Sequence, residues 1–321
     1  VSDRFAALRR RAALNRLIRD FFAARGVLEV ETPILSRAGN TDPAIDSFVA
    51  RPAGQPEGRP HWLRTSPEYP LKRLLAAGLG DCYELGRVFR AGESGGRHHP
   101  EFTMLEWYRV GWDHLRLADE VVALVGLALG SVGRAMPVLR ISYRALFRES
   151  IGLDPFTAGD AELDARLAPF DVRGALDRDD RLNLLLTHAI EPRLPEDRIT
   201  VVHGFPPSQA ALARIGPGDD DGLPEAKRFE VWIGRMELAN GYHELTDAAE
   251  QRTRFERDLE RRRAQGRAQP PIDEALLAAL DAGLPDCAGV ALGVDRLLMA
   301  MFGSARIDAV LAAGLAPDDW C

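Results

Sequence analysis

Apolar residues near the start of the chain recur at helical spacing. Leu14, Leu17, Ile18, Phe21 and Phe22 fall at i, i+3, i+4, i+7 and i+8, which makes one stripe. This predicts a helix over residues 4–25, with Gly26 placed to end it. A strand follows through Val30, and Pro33 interrupts its ladder. Residues 51–60 are a Pro/Gly-rich loop, His61 to Thr65 a short strand, and TSPEYPLKRLLAAG a loop and helix. From Gly86 to Arg109 the chain reads GRVFRAGESGGRHHPEFTMLEWYR. Two strand-like segments, the second alternating through Met104, Glu106 and Tyr108, flank a glycine-rich turn and predict an antiparallel hairpin. Residues 115–192 read as mostly helical, with breaks at Gly130-Ser131, Pro137, Gly152 and Pro155. Arg198 to Pro207 is a strand, and Arg228 to Leu245 a hairpin turning near Gly234. A charged helix over about 246–265, a second helix from Ile272, a buried strand and a helix from Val294 complete the pattern. Hairpins mixed with helices, without regular βαβ units, predict an α+β fold: a mainly antiparallel sheet flanked by helices.

Composition narrows the class. Apolar content of 46% and charged content of 28% fit a soluble enzyme. No apolar run reaches the ~18 residues that span a bilayer, and no signal peptide leads the chain. The longest apolar stretch, Val121 to Leu129, reads as a buried helix. Cys82, Cys287 and Cys321 form no CxxC or Cys/His cluster, which argues for the reducing cytoplasm and against structural zinc. A net charge of −7 disfavours broad nonspecific nucleic-acid binding. The arginines from Arg252 to Arg267 alternate with glutamates and read as a solvated helix face. Neither a GxxxxGK[ST] loop nor a strand-linked GxGxxG occurs, so any ATP site is not a P-loop.

The chemistry concentrates on the two hairpins. Arg90 and Arg97 suit polyphosphate, because guanidinium stays charged and forks onto oxygen pairs. Glu106 and Tyr108, two residues apart, suit a cation. Glu230 and Glu237 lie on either side of the turn near Gly234, which resets the alternation and lets both face one side. Magnesium favours one or two carboxylates plus substrate phosphates. The same spacing is equally that of two solvated strand glutamates, and an isolated arginine is as readily a surface ion pair.

These blocks resemble those of the class II aminoacyl-tRNA synthetases. The hairpin, about 82–109, resembles motif 2, and RHHPEFTMLEWYR looks most like the lysyl branch. VLEVETP (Val27 to Pro33), closing a block of about 10–33, resembles motif 1. GVALGVDRLLM (Gly289 to Met299), within about 287–303, resembles motif 3. ELANGYHELTD (Glu237 to Asp247) is of lysyl type. The blocks occur in the family's order, and only residues 115–195 are undistinctive.

The resemblance implies one class II synthetase-like catalytic domain over residues 1–321, with motif 1 at a homodimer interface. It implies that Arg90 grips the α-phosphate of ATP while Arg97 and Arg296 hold the β- and γ-phosphates, Arg90 and Arg296 being the catalytic pair. Ala91, Gly92, Glu93, His99, Glu237, Leu238 and Gly293 would complete the ATP site, and Glu230 with Glu237 would hold Mg2+. Ser66 and Glu68 match the loop that receives the substrate's amino group. Glu106, Tyr108 and Glu244, lined by Asn240 and Tyr242, match the pocket for the ε-ammonium. Ala291 stands where lysyl enzymes carry glycine, so a methyl group would reshape the pocket floor. Two positions depart from the pattern: Arg-x-Glu is Arg90-Ala91-Gly92-Glu93 here, and the Asn before Pro-Glu-Phe is His99. His98 and His99 are not needed as bases, since the nucleophile is already a carboxylate.

A lysyl-tRNA synthetase carries an anticodon-binding barrel ahead of this core, whereas here the first helix begins within a few residues of Val1. With the EWYR ending and Ala291, that resembles the paralogues that attach lysine, preferably (R)-β-lysine, to bacterial elongation factor P. tRNA is then an unlikely partner, and no membrane is involved. The alternatives are a catalytic fragment that charges tRNA and an inactive lysine-binding regulator.

Overall fold

A computed structural model describes residues 4–54, 58–172, 174, 176–218 and 222–311. Cys321 and residues 55–57 of the Pro/Gly-rich loop lie outside the described residues. The chain divides into two compact units, Val1–Trp112 with Thr246–Cys321, and Asp113–Leu245.

The first unit opens with α1 (Arg4–Ala23), then β1 (Leu28–Glu29), β2 (Leu35–Ser36), β3 (Val49–Ala50), β4 (His61–Leu63), α2 (Glu68–Ala76), β5 (Cys82–Phe89) and β6 (Glu101–Val110). The predicted stripe is the buried face of α1: Phe22 stacks on Tyr83 at 4.4 Å and meets Trp107 edge-on at 5.3 Å. Gly26 ends the helix as expected, at φ +67°, while Val27 N–H donates back to the Phe22 carbonyl at 3.1 Å. β5 and β6 form the predicted hairpin, paired from Cys82↔Tyr108 to Phe89↔Glu101. β2, β4 and β3 make a separate small antiparallel sheet.

The second unit contains α3 (His114–Gly130), β7 (Val138–Ser142), α4 (Tyr143–Ile151), α5 (Asp160–Leu167), α6 (Arg178–Leu185), β8 (Ile199–Phe205), β9 (Ile215–Pro217), β10 (Pro224–Ile233) and β11 (Met236–His243). Its strands run β11-β10-β8-β7, with β9 also on β10. The hairpin turns at Gly234 as predicted, with φ +53°. Its core gathers Tyr143, Phe147, Phe205 and Trp232 with leucines of the helices. The buried apolar helix over Val121 to Leu129 is the second half of α3.

The chain then returns to the first unit with α7 (Ala248–Ala264), α8 (Glu274–Gly283), β12 (Cys287–Gly293) and α9 (Val294–Phe302). β12 pairs antiparallel with β6, extending the sheet to β1-β5-β6-β12. Asp295, at the start of α9 and 1% exposed, accepts from Arg11 of α1 and from the Thr103 N–H at 2.7 Å. One carboxylate thereby ties three elements around the start of α9. Behind β5, Arg64 meets Glu84 at 2.5 Å, and Glu84 also accepts from the Thr32 hydroxyl at 2.7 Å.

Two expectations are corrected, on residues 138–142 and on the arginine-rich helix, and the mainly antiparallel sheet stands as expected. Residues 138–142 form a strand, β7, inside the segment read as helical, because Pro137 N-terminally and parallel pairing to β8 override local propensity. Both sheets are mainly antiparallel, yet β1–β5 and β7–β8 pair parallel. The arginine-rich helix α7 is solvated only in part. Arg262 is 2% exposed and donates to the Asp42 and Ile45 carbonyls and to Asp46, anchoring a loop rather than facing water. Arg254 is buried too. Cys82 and Cys287 are buried free thiols. No helix among the described residues is long and apolar enough to cross a membrane.

Candidate active site

In the first unit, the residues expected to receive an amine form one hydrogen-bonded network. Glu106 faces along β6 with Tyr108, whose hydroxyl donates to it at 2.9 Å, as period-two alternation requires. Ser66 bridges two elements: its hydroxyl donates to Glu106 at 2.6 Å and accepts from the Glu68 N–H at 2.9 Å. Glu68, the first residue of α2, receives the Lys72 ammonium at 2.6 Å. Glu106 is 2% exposed, and burial beside Glu68 pushes its carboxyl from 4.5 up to about 8. Ala291 stands directly opposite Glu106 in the β6–β12 register, so its methyl borders that carboxyl.

Among the phosphate-type residues of the same unit, Arg90 has longer contacts. Arg90 follows the end of β5. Its Nε reaches the Thr65 carbonyl at 3.3 Å, its guanidinium lies 5.2 Å from the Phe102 ring centre, and Glu93 stands 3.6 Å away. Glu93 thus pairs with Arg90. Ala91 is pinned by its N–H donating to the Asp46 carbonyl at 2.8 Å, and Gly92 takes φ +80°. Arg97 rides on the turn, which closes through the Gly95–His98 bridge. Arg296, on α9, meets His98 Nε2 at 2.6 Å. His99 is turned to its own strand, with Nδ1 2.7 Å from the Glu101 carbonyl oxygen. Gly293 has an ordinary φ of −77°, and a Cβ there would only touch the Arg296 side chain at 3.7 Å. A Cβ there would therefore make only ordinary van der Waals contact.

In the second unit, register places Glu230 opposite Asn240 and Trp232 opposite Glu237, with a bulge between. Glu230 and Glu237 therefore share a face, and Leu238, beside the bulge, is buried. Burial pushes the Glu230 carboxyl from 4.5 up to about 7, with the Glu237 charge adding to the rise and Arg228 opposing it. Arg228 is bound to Glu230, and the Trp232 indole donates to the other Glu230 oxygen at 3.1 Å. Arg228 also reaches Asn240 at 3.0 Å, and Asn240 donates to the Tyr242 hydroxyl at 3.0 Å. Glu244, just past β11, is 1% exposed. A carboxylate pair whose repulsion is balanced by a guanidinium has the charge of a cation site, with Arg228 standing in. Among the described residues no group of three or more His, Cys, Asp or Glu is placed to hold a metal ion.

A family model described as tRNA synthetases class II (D, K and N) matches residues 2–314. The chain belongs to that family. Among its curated relatives is an elongation factor P–(R)-beta-lysine ligase of Klebsiella pneumoniae subsp. pneumoniae, 48% identical over 311 residues, covering 95% of this chain and 94% of that protein. The ligase of the same name from Mannheimia succiniciproducens is 48% identical over 310 residues, again 95% of this chain and 94% of that protein. The one from Salmonella arizonae is 47% identical over 311 residues with the same coverage. The expected class II synthetase-like α+β fold is therefore the fold this chain has.

Two buried cations of this class II chain escaped the sequence reading. Lys72 lies at i+4 from Glu68, and Arg228 at i−2 from Glu230. Helical and strand spacing put each on the same face as its carboxylate, so periodicity was the signal available for both.

Proposed function

We propose that the protein is an ATP-dependent, AMP-forming ligase that activates (R)-β-lysine or lysine and attaches it to a lysine ε-amino group on elongation factor P. The observation that carries this reading is the hydrogen-bonded Ser66–Glu68–Glu106–Tyr108 network, with Glu106 and Tyr108 buried and Ala291 bordering it, in a class II core. Glu68 receives the amino group near the reacting carboxyl, and Glu106 and Tyr108 select the side-chain ammonium. A buried acidic lining rejects neutral and anionic amino acids, because it would leave uncompensated charge.

The substrate carboxylate oxygen attacks the α-phosphorus, forming a new P–O bond while the bond to pyrophosphate breaks. Arg90 stabilises charge building on the α-phosphate, and Arg97 and Arg296 draw off charge on the leaving pyrophosphate. Ala91, Gly92, Glu93, His99, Leu238 and Gly293 frame the nucleotide. Glu230 and Glu237 would hold Mg2+, which neutralises phosphate charge when bound. In the second step the acceptor amine attacks the acyl carbon, the bond to AMP breaks, and the amine proton is lost as the amide forms.

The exposed apolar side chains Leu28, Ile34, Leu35 and Val49 around motif 1 support a homodimer. Buried free thiols agree with a cytoplasmic location. The test is to incubate enzyme, ATP, β-lysine and elongation factor P and read the intact mass. One lysyl increment on the factor is expected. Charging of tRNA with no increment on the factor would overturn the acceptor assignment.

A further inference from the structure

Of the 41 lysine and arginine residues in the chain, only Lys72 and Lys227 are lysine. Both pair with a glutamate, and Lys72 does so at 2% exposure inside the amine-receiving network. A compact ammonium touches one carboxylate oxygen, whereas a guanidinium fork takes two. Lys72 meets Glu68 through Oε1 at 2.6 Å. The geometry points to Lys72 as the positioning residue of the amine subsite: it holds Glu68 in orientation through one oxygen, and presents the other to the incoming ammonium.

The electrostatics agree. Glu68 and Glu106 are neighbours joined through Ser66, and the Glu68 charge helps push the Glu106 carboxyl up while Lys72 opposes that rise. The other cations of this unit near the pair are engaged elsewhere: Arg90 by the Thr65 carbonyl and Glu93, Arg64 by Glu84, and Arg73 lies 3.8 Å from Asp273. Tyr69 and Tyr108 are phenols and Asp42 is acidic. Without Lys72, Glu68 would lose the cation that holds it.

This inference rests on the reading that Glu68 receives the substrate amine, and a double-mutant cycle separates the two. The Michaelis constants for lysine or β-lysine and for ATP are measured by amino-acid-dependent pyrophosphate exchange in wild type, Lys72→Met, Glu68→Gln and the double variant. Lys72→Met is expected to raise the amino-acid KM about tenfold or more at neutral pH and leave the ATP KM within about twofold, since a buried carboxylate has lost its partner. In the Glu68→Gln background, Lys72→Met should add less than about twofold, as for residues acting through one contact. If Lys72→Met alone fails to fold, the double variant, with neither charge left buried, still gives that comparison. Additive effects, or a Lys72→Met enzyme with wild-type amino-acid KM beside an impaired Glu68→Gln, overturn the role of Lys72. A Glu68→Gln enzyme with wild-type amino-acid KM overturns the reading of Glu68 itself.

Discussion

The amine-receiving network and the phosphate-type arginines belong to the same unit and treat charge in opposite ways. Glu106, Glu68 and Lys72 are sequestered and bonded at 2.6–2.9 Å before any ligand is present. Arg90, by contrast, has contacts of 3.3 and 3.6 Å, and Arg296 rests on the exposed His98. The difference follows from what each must discriminate. An ammonium is told from a neutral group by desolvation, so its carboxylates are buried and compensated in advance. Polyphosphate needs little discrimination, and guanidiniums keep their charge in water, so these can wait solvated and close on the ligand.

The contrast predicts where mutations act. Arg90→Ala or Arg296→Ala is expected to cut pyrophosphate exchange by about 10²–10³-fold, the scale of losing a donor to developing transition-state charge. Arg90→Ala should leave the melting temperature close to wild type, since the contacts of Arg90 are long; a large drop would mean that this arginine is structural. Breaking a buried pair should do the reverse. Glu84→Ala, which strands Arg64 at 6% side-chain exposure, should cost about 3–5 kcal/mol in chemical denaturation.

Glu106 sharpens the comparison through pH. Its carboxyl rises from 4.5 when unfolded to about 8 when folded, so the native state holds an extra proton between those values. Stability should therefore fall as pH rises from about 5 to 8, and Glu106→Gln should flatten that slope in denaturation titrations. Arg90→Ala should leave it intact. The smallest effect belongs to His98→Ala. An exposed contact of this kind is worth about 0–1 kcal/mol, so ATP KM should change by no more than about fivefold, downwards if His98 competes with phosphate for Arg296. A loss of more than that would place His98 among the phosphate-binding groups.

Much of the architecture was legible because periodicity reports burial. The α1 stripe, the β5–β6 hairpin and the turn at Gly234 each follow from spacing and one or two glycines. β7 was not legible: five residues carry too little pattern, and its parallel partner β8 lies more than fifty residues away. Among site residues, Glu106 with Tyr108 and Glu230 with Glu237 fell on shared faces as alternation predicts. Arg262 was misread because a helix face shows its charge in sequence but not the loop carbonyls that fold over it.

Which residue types stand at which spacing, and hence the helix faces, the hairpins and the membership in class II, was written along the chain itself. Which charges are compensated was decided only by folding. Arg64 on Glu84, Arg262 on Asp46 and Arg11 on Asp295 all look like ordinary polar positions until packing removes the water around them. Periodicity encodes which side of an element is buried, whereas the partner of a buried charge is set by elements distant in sequence and by the dielectric they create.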